Sequence, residues 1–91
     1  MTTIPTIHLN GTGYDTLYKE YTAAYEATRK AIDALYDTTC NGRDYYPQGQ
    51  SVYYRARDER QAAIDKLSEV KDYLAAVLVG IMDQAPDHDR L

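Results

Sequence analysis

Between two long helical patterns lies the stretch NGRDYYPQG, residues 41–49. Its Asn41-Gly42 pair is typical of the end of a helix, and a second glycine turn at Gly49 comes just before the next helical pattern. The chain of 91 residues is therefore predicted to be a single all-α domain, a long antiparallel helical hairpin with a short extended N-terminal arm. The predicted segments are the arm at 1–11, helix 1 at 12–40, the loop at 41–50, helix 2 at 51–83 and a polar tail at 84–91.

Apolar residues repeat at alternating steps of three and four in both helical segments, which is the spacing of one helix face. At the start of helix 1, Thr12 and Asp15 stand at the spacing of a capping box. The face of helix 1 is predicted to contain Leu17, Tyr21, Ala24, Thr28, Ala31 and Leu35. The face of helix 2 is predicted to contain Tyr53, Ala56, Arg60, Ala63, Leu67, Val70, Leu74, Val77 and Ile81. The two faces are expected to pack against each other.

Composition excludes several classes of protein. The formal net charge of -4 argues against a protein that binds DNA or RNA polymers, since neutralising phosphates needs a basic face. The single cysteine, Cys40, can form no internal disulfide, which favours a cytoplasmic protein. The most apolar run, residues 73–82, is too short to span a bilayer, so no membrane partner is expected.

The aromatic residues are all tyrosines: there are ten of them, with no Phe and no Trp. Each tyrosine has an apolar ring and a hydroxyl that needs water or a partner when buried. Several tyrosines are therefore expected at half-exposed surfaces, such as helix seams, subunit contacts or a ligand site.

The segment LAAVLVGIM, residues 74–82, is apolar around most of the helix. Such a helix is buried on more than one side, and an isolated two-helix hairpin rarely buries enough apolar area to offset the entropy of ordering the chain. A homo-oligomer with this half of helix 2 at its centre is therefore expected. The alternative is that the arm, at residues 4–9, folds back over the segment within one chain.

No catalytic or metal-binding pattern stands out in the sequence. The two histidines, His8 and His88, lie near opposite ends, and no pair of His, Asp or Glu has a metal-ligand spacing. The protein is therefore predicted not to be an enzyme and to use no cofactor. The stretch NGTG, residues 10–13, resembles part of a phosphate loop at a helix N-terminus; the alternative is a plain arm-to-helix joint with Thr12 as the cap.

The loop contains the residue types that a nucleotide requires. Arg43 offers a guanidinium for phosphate, Tyr45 and Tyr46 offer ring faces for a base or ribose, and Asp44 and Gln48 offer acceptors and an amide for sugar hydroxyls or base edges. Because consecutive residues rarely point the same way, one of the two tyrosines is expected to face outward. The alternative is that the tyrosines cap the hydrophobic end of the hairpin while Arg43 pairs with a nearby acid.

Arg60 lies in the predicted apolar face of helix 2, where a guanidinium needs a partner. Four of the ten cationic residues fall within 43–60, and such local basicity in an acidic protein favours a small anionic ligand. Arg60 is therefore predicted to hold phosphate together with Arg43. The alternative is a solvated surface whose charges are balanced by neighbouring acids. A second chain, or Asn10 and Thr12 at the arm-helix joint, is expected to complete the site.

Three features together resemble a group of short phage and prophage proteins, largely of unknown function: TIHLNGT at 6–12, the NGRDYYPQG loop, and an inward arginine such as Arg60. Small size, expected oligomerisation and an Arg/Tyr-rich site also resemble the phage anti-defence sponges of anti-Thoeris and anti-CBASS type. The resemblance implies a noncatalytic protein of the host cytoplasm that sequesters a small anionic signalling nucleotide, a cyclic ADP-ribose derivative or a cyclic dinucleotide. The alternative is a phage protein that inhibits or bridges a host protein by direct contact.

Overall fold

The computed structural model describes residues 1–86 and consists of two antiparallel α-helices joined by a compact loop. Helix α1 comprises Tyr14–Tyr36, and helix α2 comprises Val52–Met82. Two single-turn 3-10 helices, Gly42–Asp44 and Tyr46–Gln48, form the middle of the loop. Since residues 1–86 contain two long helices and no strand, the predicted all-α helical hairpin is confirmed.

The bounds of the helices differ from the prediction, most of all in α1. Gly13 precedes α1 in an extended conformation without a side-chain cap, so the capping box expected from Thr12 is not formed. At its other end α1 ends at Tyr36 instead of residue 40, and the Thr38 hydroxyl donates back to the Leu35 carbonyl at 2.6 Å. Of the polar tail predicted at 84–91, residues 87–91 lie outside the described residues.

The core is a thin line of aliphatic side chains between the two helices. Within the described residues the buried hydrophobic side chains are Ile32 from α1 and Ile64, Leu74, Val77 and Ile81 from α2. Ile64, Val77 and Ile81 are at most 1% exposed, and they are the largest fully buried side chains. The hairpin measures 61 × 23 × 21 Å, so it has only one layer in which side chains can be buried.

At two positions of the predicted helix faces, the buried residue is the one that follows the predicted residue in the chain. Ile64 is buried where Ala63 was predicted, and Ile32 is buried where Ala31 was predicted; both alanines are exposed. Either neighbour fits a three-four spacing, but an isoleucine removes more apolar area from water than an alanine does. With Ile64 on the buried face of α2, Val70 lies at its flank and is 47% exposed, although it was predicted to be on that face.

Contacts at both ends of the hairpin fix the antiparallel register of the helices. Arg60 of α2 reaches the Leu35 carbonyl near the end of α1, and Tyr73 of α2 hydrogen-bonds Tyr21 in the second turn of α1. The charge that Tyr73 acquires on ionisation, followed by burial, raises the pKa of Tyr21 above the ordinary value of 10.0. The folded chain therefore favours the neutral phenol at this contact.

The N-terminal arm lies on the last turns of α2 and is held there by Gln84. Gln84 Oε1 accepts from the N–H of Ile7 at 2.8 Å, and Gln84 Nε2 donates to the carbonyl oxygens of Pro5 at 2.8 Å and Gly80 at 3.1 Å. Ile4 packs so closely on Gly80 that a Cβ atom there would lie 2.6 Å from Ile4 Cγ2. The arm thus folds back within its own chain, which is the alternative that the sequence left open.

Replacing Gln84 with alanine is expected to release the arm. The change removes both hydrogen bonds between Gln84 and the arm, and each such bond stabilises by about 1 kcal/mol. Hydrogen-deuterium exchange is expected to show faster exchange at the Ile7 amide. Gln61→Ala is the matched control, because Gln61 bonds only to Asp65 on the exposed side of α2. Unchanged exchange at Ile7 in Gln84→Ala contradicts the prediction.

Candidate functional site

Arg60 caps the C-terminal end of α1. Its Nη2 donates to the carbonyl oxygens of Leu35 at 2.9 Å, Tyr36 at 2.8 Å and Thr38 at 3.1 Å, and its Nε donates to Thr38 Oγ1 at 3.2 Å. The last carbonyls of a helix have no partners within it and form the negative end of its dipole, so a guanidinium suits them. The partner that Arg60 needs is therefore the backbone of α1, and Arg60 is already engaged without a ligand.

The loop between the helices is held by its own short-range hydrogen bonds. The Asn41 side chain accepts from the N–H of Arg43 at 2.9 Å, and the N–H groups of Tyr45 and Gly49 donate to carbonyls three residues earlier at 3.0 Å. Gly49 has a φ of 121°, a conformation that L side chains rarely adopt, and it turns the chain into α2. The two 3-10 turns thus give the loop side chains defined positions.

An open cleft of about 780 Å³ lies between the loop and the start of α2. It is lined by Gly42, Tyr46, Gln50, Tyr53 and Tyr54. Tyr46 is 66% exposed and Tyr54 is 56% exposed, so both rings have faces available to a ligand. The lining therefore combines three phenols, one amide and the backbone of a glycine.

The tyrosines of the cleft belong to a connected aromatic cluster. The Tyr53 ring lies 6.4 Å from the Tyr45 ring and 5.3 Å from the Tyr54 ring, the second pair in an edge-to-face arrangement. The guanidinium of Arg57 lies over the Tyr54 ring at 5.1 Å from its centroid, which is a cation-π contact. These contacts fix the orientation of the Tyr54 ring and place the positive charge of the Arg57 guanidinium over it.

Gly42 allows the Tyr46 ring to lie directly on the backbone at the edge of the cleft. A Cβ atom at residue 42 would be 3.0 Å from the Tyr46 hydroxyl and 3.1 to 3.2 Å from its ring carbons. Any side chain there would push the ring outward. Gly42 thus sets the position of one wall of the cleft.

The predicted loop residues separate into two groups. Tyr46 lines the cleft, and Tyr45 is half-buried against Tyr53, so the expectation that one of the two tyrosines faces outward is confirmed. Arg43, Asp44 and Gln48 are exposed on the loop but are not among the lining residues. Tyr45 thus lies against Tyr53 and Tyr46 faces the cleft, and the ligand-binding role of both tyrosines stays a prediction.

Asn10 and Thr12 lie at the opposite end of the hairpin from the cleft. They follow the arm, which is bound beyond the end of α2, whereas the cleft adjoins its beginning. At about 1.5 Å per residue, the 31 residues of α2 separate the two ends by roughly 45 Å. Within one chain, Asn10 and Thr12 therefore do not contribute to the cleft.

Four residues of the cleft region were not predicted as ligand contacts: Gly42, Gln50, Tyr54 and Arg57. Tyr53 was predicted only as part of the helix face. The sequence does contain a pattern that indicates these residues, because a second tyrosine pair, Tyr53-Tyr54, follows the pair Tyr45-Tyr46 on the other side of the turn. Residues in the first turn of a helix lie beside the loop that precedes the helix. Tyr54 and Arg57 belong to the first turns of α2, outside the loop from which the site was predicted.

Residues 1–86 contain no group of three His, Cys, Asp or Glu residues that could hold a metal ion. This part of the chain also contains no helix that is both long and apolar enough to cross a membrane. The one ion pair near the cleft joins Arg57 to Asp58 at 3.3 Å, and both side chains are more than half exposed.

Comparison of the chain with protein-family models, with curated proteins and with solved structures gives no match.

Proposed function

We propose that the protein binds a small anionic nucleotide in the tyrosine cleft and sequesters it without catalysis. The observation that carries this proposal is the cleft of about 780 Å³ with two exposed tyrosine rings in its lining. This volume falls in the range of about 300 to 1,000 Å³ that is typical of small-molecule sites. Tyrosine faces stack on nucleobases, and each stacked base stabilises a complex by about 1 to 3 kcal/mol.

The polar groups of the cleft suit the remaining parts of a nucleotide. The Gln50 amide both donates and accepts hydrogen bonds, so it can pair with a base edge or with ribose hydroxyls. The five lining residues include no histidine, cysteine or carboxylate, so they support binding better than bond cleavage. A ligand held in this way would be retained unchanged.

Arg57 is the guanidinium best placed for phosphate. It lies on the Tyr54 ring at the rim of the cleft, and its one ion-pair partner, Asp58, is exposed and readily exchanged for a phosphate. Arg43 on the loop adds positive charge nearby, whereas Arg60 is engaged by the carbonyls of α1. The phosphate role proposed for Arg60 from the sequence is therefore assigned to Arg57, with Arg43 in support.

The biological role proposed here is that of a phage anti-defence protein in the host cytoplasm. The ligand class is a cyclic ADP-ribose derivative or a cyclic dinucleotide, since both contain purine rings for Tyr46 and Tyr54 and phosphates for Arg57. The acidic balance of the chain, with a formal charge of -4, disfavours nucleic-acid polymers while leaving a local positive site. A homo-oligomer is part of this proposal, because the hairpin alone has a thin core.

Tyr54→Ala is expected to weaken nucleotide binding at least tenfold, because it removes a stacking face and the support of Arg57. The measurement is isothermal titration calorimetry against cyclic ADP-ribose isomers and cyclic dinucleotides. Tyr18→Ala is the matched control, since Tyr18 is 37% exposed and lies near the start of α1, at the opposite end of the hairpin from the cleft. Absence of binding heat with every nucleotide in the wild type refutes the proposal.

A second candidate function is direct contact with a host protein. The observation in its favour is that the cleft is open and its tyrosines are exposed, and tyrosine is enriched among residues that dominate protein interfaces. Affinity capture from host lysate distinguishes the two. A single captured protein that is lost with Tyr54→Ala, with no nucleotide released on denaturation, supports the protein-contact function.

A further inference from the structure

The glycine at position 42 is not required by its own backbone. Gly42 is the first residue of the 3-10 turn Gly42–Asp44, a conformation that L residues adopt freely. Among the glycines in residues 1–86, the positive φ belongs to Gly49. α1 ends at Tyr36, so Gly42 does not end that helix either. Because a glycine loses more backbone entropy on folding than any other residue, its presence at position 42 needs a cause outside the backbone.

The contact with Tyr46 supplies that cause. A Cβ atom at residue 42 would lie 3.0 Å from the Tyr46 hydroxyl oxygen, 3.1 Å from Cε1 and 3.2 Å from Cζ. Optimal contact between carbon atoms lies at about 3.5 to 4.0 Å, so the ring would have to move to make room for an alanine. The Tyr46 side chain is 66% exposed and can turn toward solvent. Gly42→Ala is therefore expected to move the ring and to leave the loop folded.

The backbone on both sides of this contact is held by hydrogen bonds. The Gly42 carbonyl accepts from the N–H of Tyr45 at 3.0 Å, and the Tyr46 carbonyl accepts from the N–H of Gly49 at 3.0 Å. The two 3-10 turns thus hold residues 42 and 46 in a defined relative position. The ring of Tyr46 lies in the space that a side chain at residue 42 would occupy.

We propose that Gly42 is a positioning residue, which forms the wall of the cleft before a ligand arrives by allowing the Tyr46 ring to lie on the backbone. Both residues line the cleft. The consequence for affinity rests on the proposed function, in which Tyr46 stacks on a base. A ring that is already ordered adds no ordering cost to binding. A ring displaced by about 0.5 to 1 Å loses a quarter to a half of its dispersion contact with the ligand.

NMR spectroscopy of the free, full-length chain measures the position of the ring. The α proton of Gly42 that takes the place of a Cβ points at the Tyr46 ring, so a nuclear Overhauser effect between them is expected in the wild type. The three-bond couplings of Tyr46 are expected to report a single χ1 rotamer in the wild type and a different or averaged rotamer in Gly42→Ala. An averaged rotamer in the wild type overturns the proposal, as does the wild-type rotamer with unchanged ring signals in Gly42→Ala.

Calorimetry with cyclic ADP-ribose isomers and cyclic dinucleotides measures the consequence for binding. Gly42→Ala is expected to weaken binding by about fivefold or more, with a midpoint of thermal unfolding at or above that of the wild type. Gly13→Ala is the matched control, because Gly13 has a φ of -69° and a Cβ there would meet no atom within 4 Å. A Gly42→Ala variant that does not fold overturns the proposal, since residue 42 would then act on the fold instead of on the ring.

A double-mutant cycle shows whether Gly42 acts through the ring. In Tyr46→Ala no ring remains to be displaced, so adding Gly42→Ala is expected to weaken binding by less than about twofold. An equal loss from Gly42→Ala in the wild type and in Tyr46→Ala overturns the proposal.

The two measurements separate failure of this inference from failure of the proposed function. A wild type that binds none of these nucleotides refutes the proposed function, and the NMR measurement still decides whether Gly42 positions the ring. A wild type that binds a nucleotide no better than Gly42→Ala overturns the positioning role of Gly42 and leaves the proposed function standing.

Discussion

Ile64→Ala is expected to lower the free energy of unfolding by about 3 kcal/mol, the largest effect of any single substitution considered for this chain. Ile64 is 1% exposed and is one of five buried hydrophobic side chains in the described part of the chain. Its truncation removes apolar contact from the middle of a thin core and leaves a cavity between the helices. Because the core has few other members, little of the loss can be recovered by repacking.

Urea unfolding followed by circular dichroism measures this effect. Val70→Ala is the matched control, since Val70 is an aliphatic residue of α2 that is 47% exposed, and it is expected to change the unfolding free energy by less than about 0.5 kcal/mol. The comparison also tests the helix register, because the sequence placed Val70 on the buried face. Equal destabilisation by the two substitutions would favour the register predicted from the sequence.

Arg60→Met is expected to lower the free energy of unfolding by about 2 kcal/mol, because hydrogen bonds to charged groups typically stabilise by about 1.5 to 3 kcal/mol. Methionine keeps an apolar stem and removes the guanidinium, which leaves the carbonyls of Leu35, Tyr36 and Thr38 without this donor. Part of the loss is offset by water, since these carbonyls lie near the surface. Exchange of backbone amides in the last turn of α1 is expected to accelerate.

Arg57→Met is the control for Arg60, because Arg57 lies one turn earlier in α2 and its only ion pair is exposed. It is expected to change stability by less than about 0.5 kcal/mol. Comparing the two variants, Arg60→Met and Arg57→Met, separates a structural role of an arginine from a role in ligand binding. Arg60→Met should act on stability and Arg57→Met on nucleotide affinity, whereas the reverse outcome would restore the phosphate role to Arg60.

Much of the fold was accessible from the sequence because it depends on local properties. Helix-breaking chemistry at Asn41-Gly42 and around Gly49 divides the chain, and helical spacing on either side predicts two long helices. The residues that face inward were harder to predict, since Ala63 and Ile64 both fit the spacing. Only packing against α1 selects the isoleucine, because it buries more area there.

The candidate site was predicted less completely, because a site depends on contacts between distant residues. Of the loop residues predicted to bind a ligand, Tyr46 lines the cleft, and the ligand-binding role of the loop stays a prediction. Tyr54 of the same cleft comes from the first turn of α2, and the Arg57 guanidinium is placed by that ring. Asn10 and Thr12 were assigned to the same site from their chemistry, although the length of the hairpin separates them from it.

Helix content, the position of the turn and the polar character of the loop follow from local sequence, because propensity, periodicity and turn chemistry act over a few residues. Three features follow only from the packing of the folded chain: which side chains are buried, that Arg60 caps α1, and that the arm returns to Gln84. Each joins residues far apart in the chain, 24 residues in the Arg60 contact with Tyr36 and 77 in the Gln84 contact with Ile7. Such pairings depend on how the two helices are placed relative to each other. The spacing of residues within one helix carries no information about that placement.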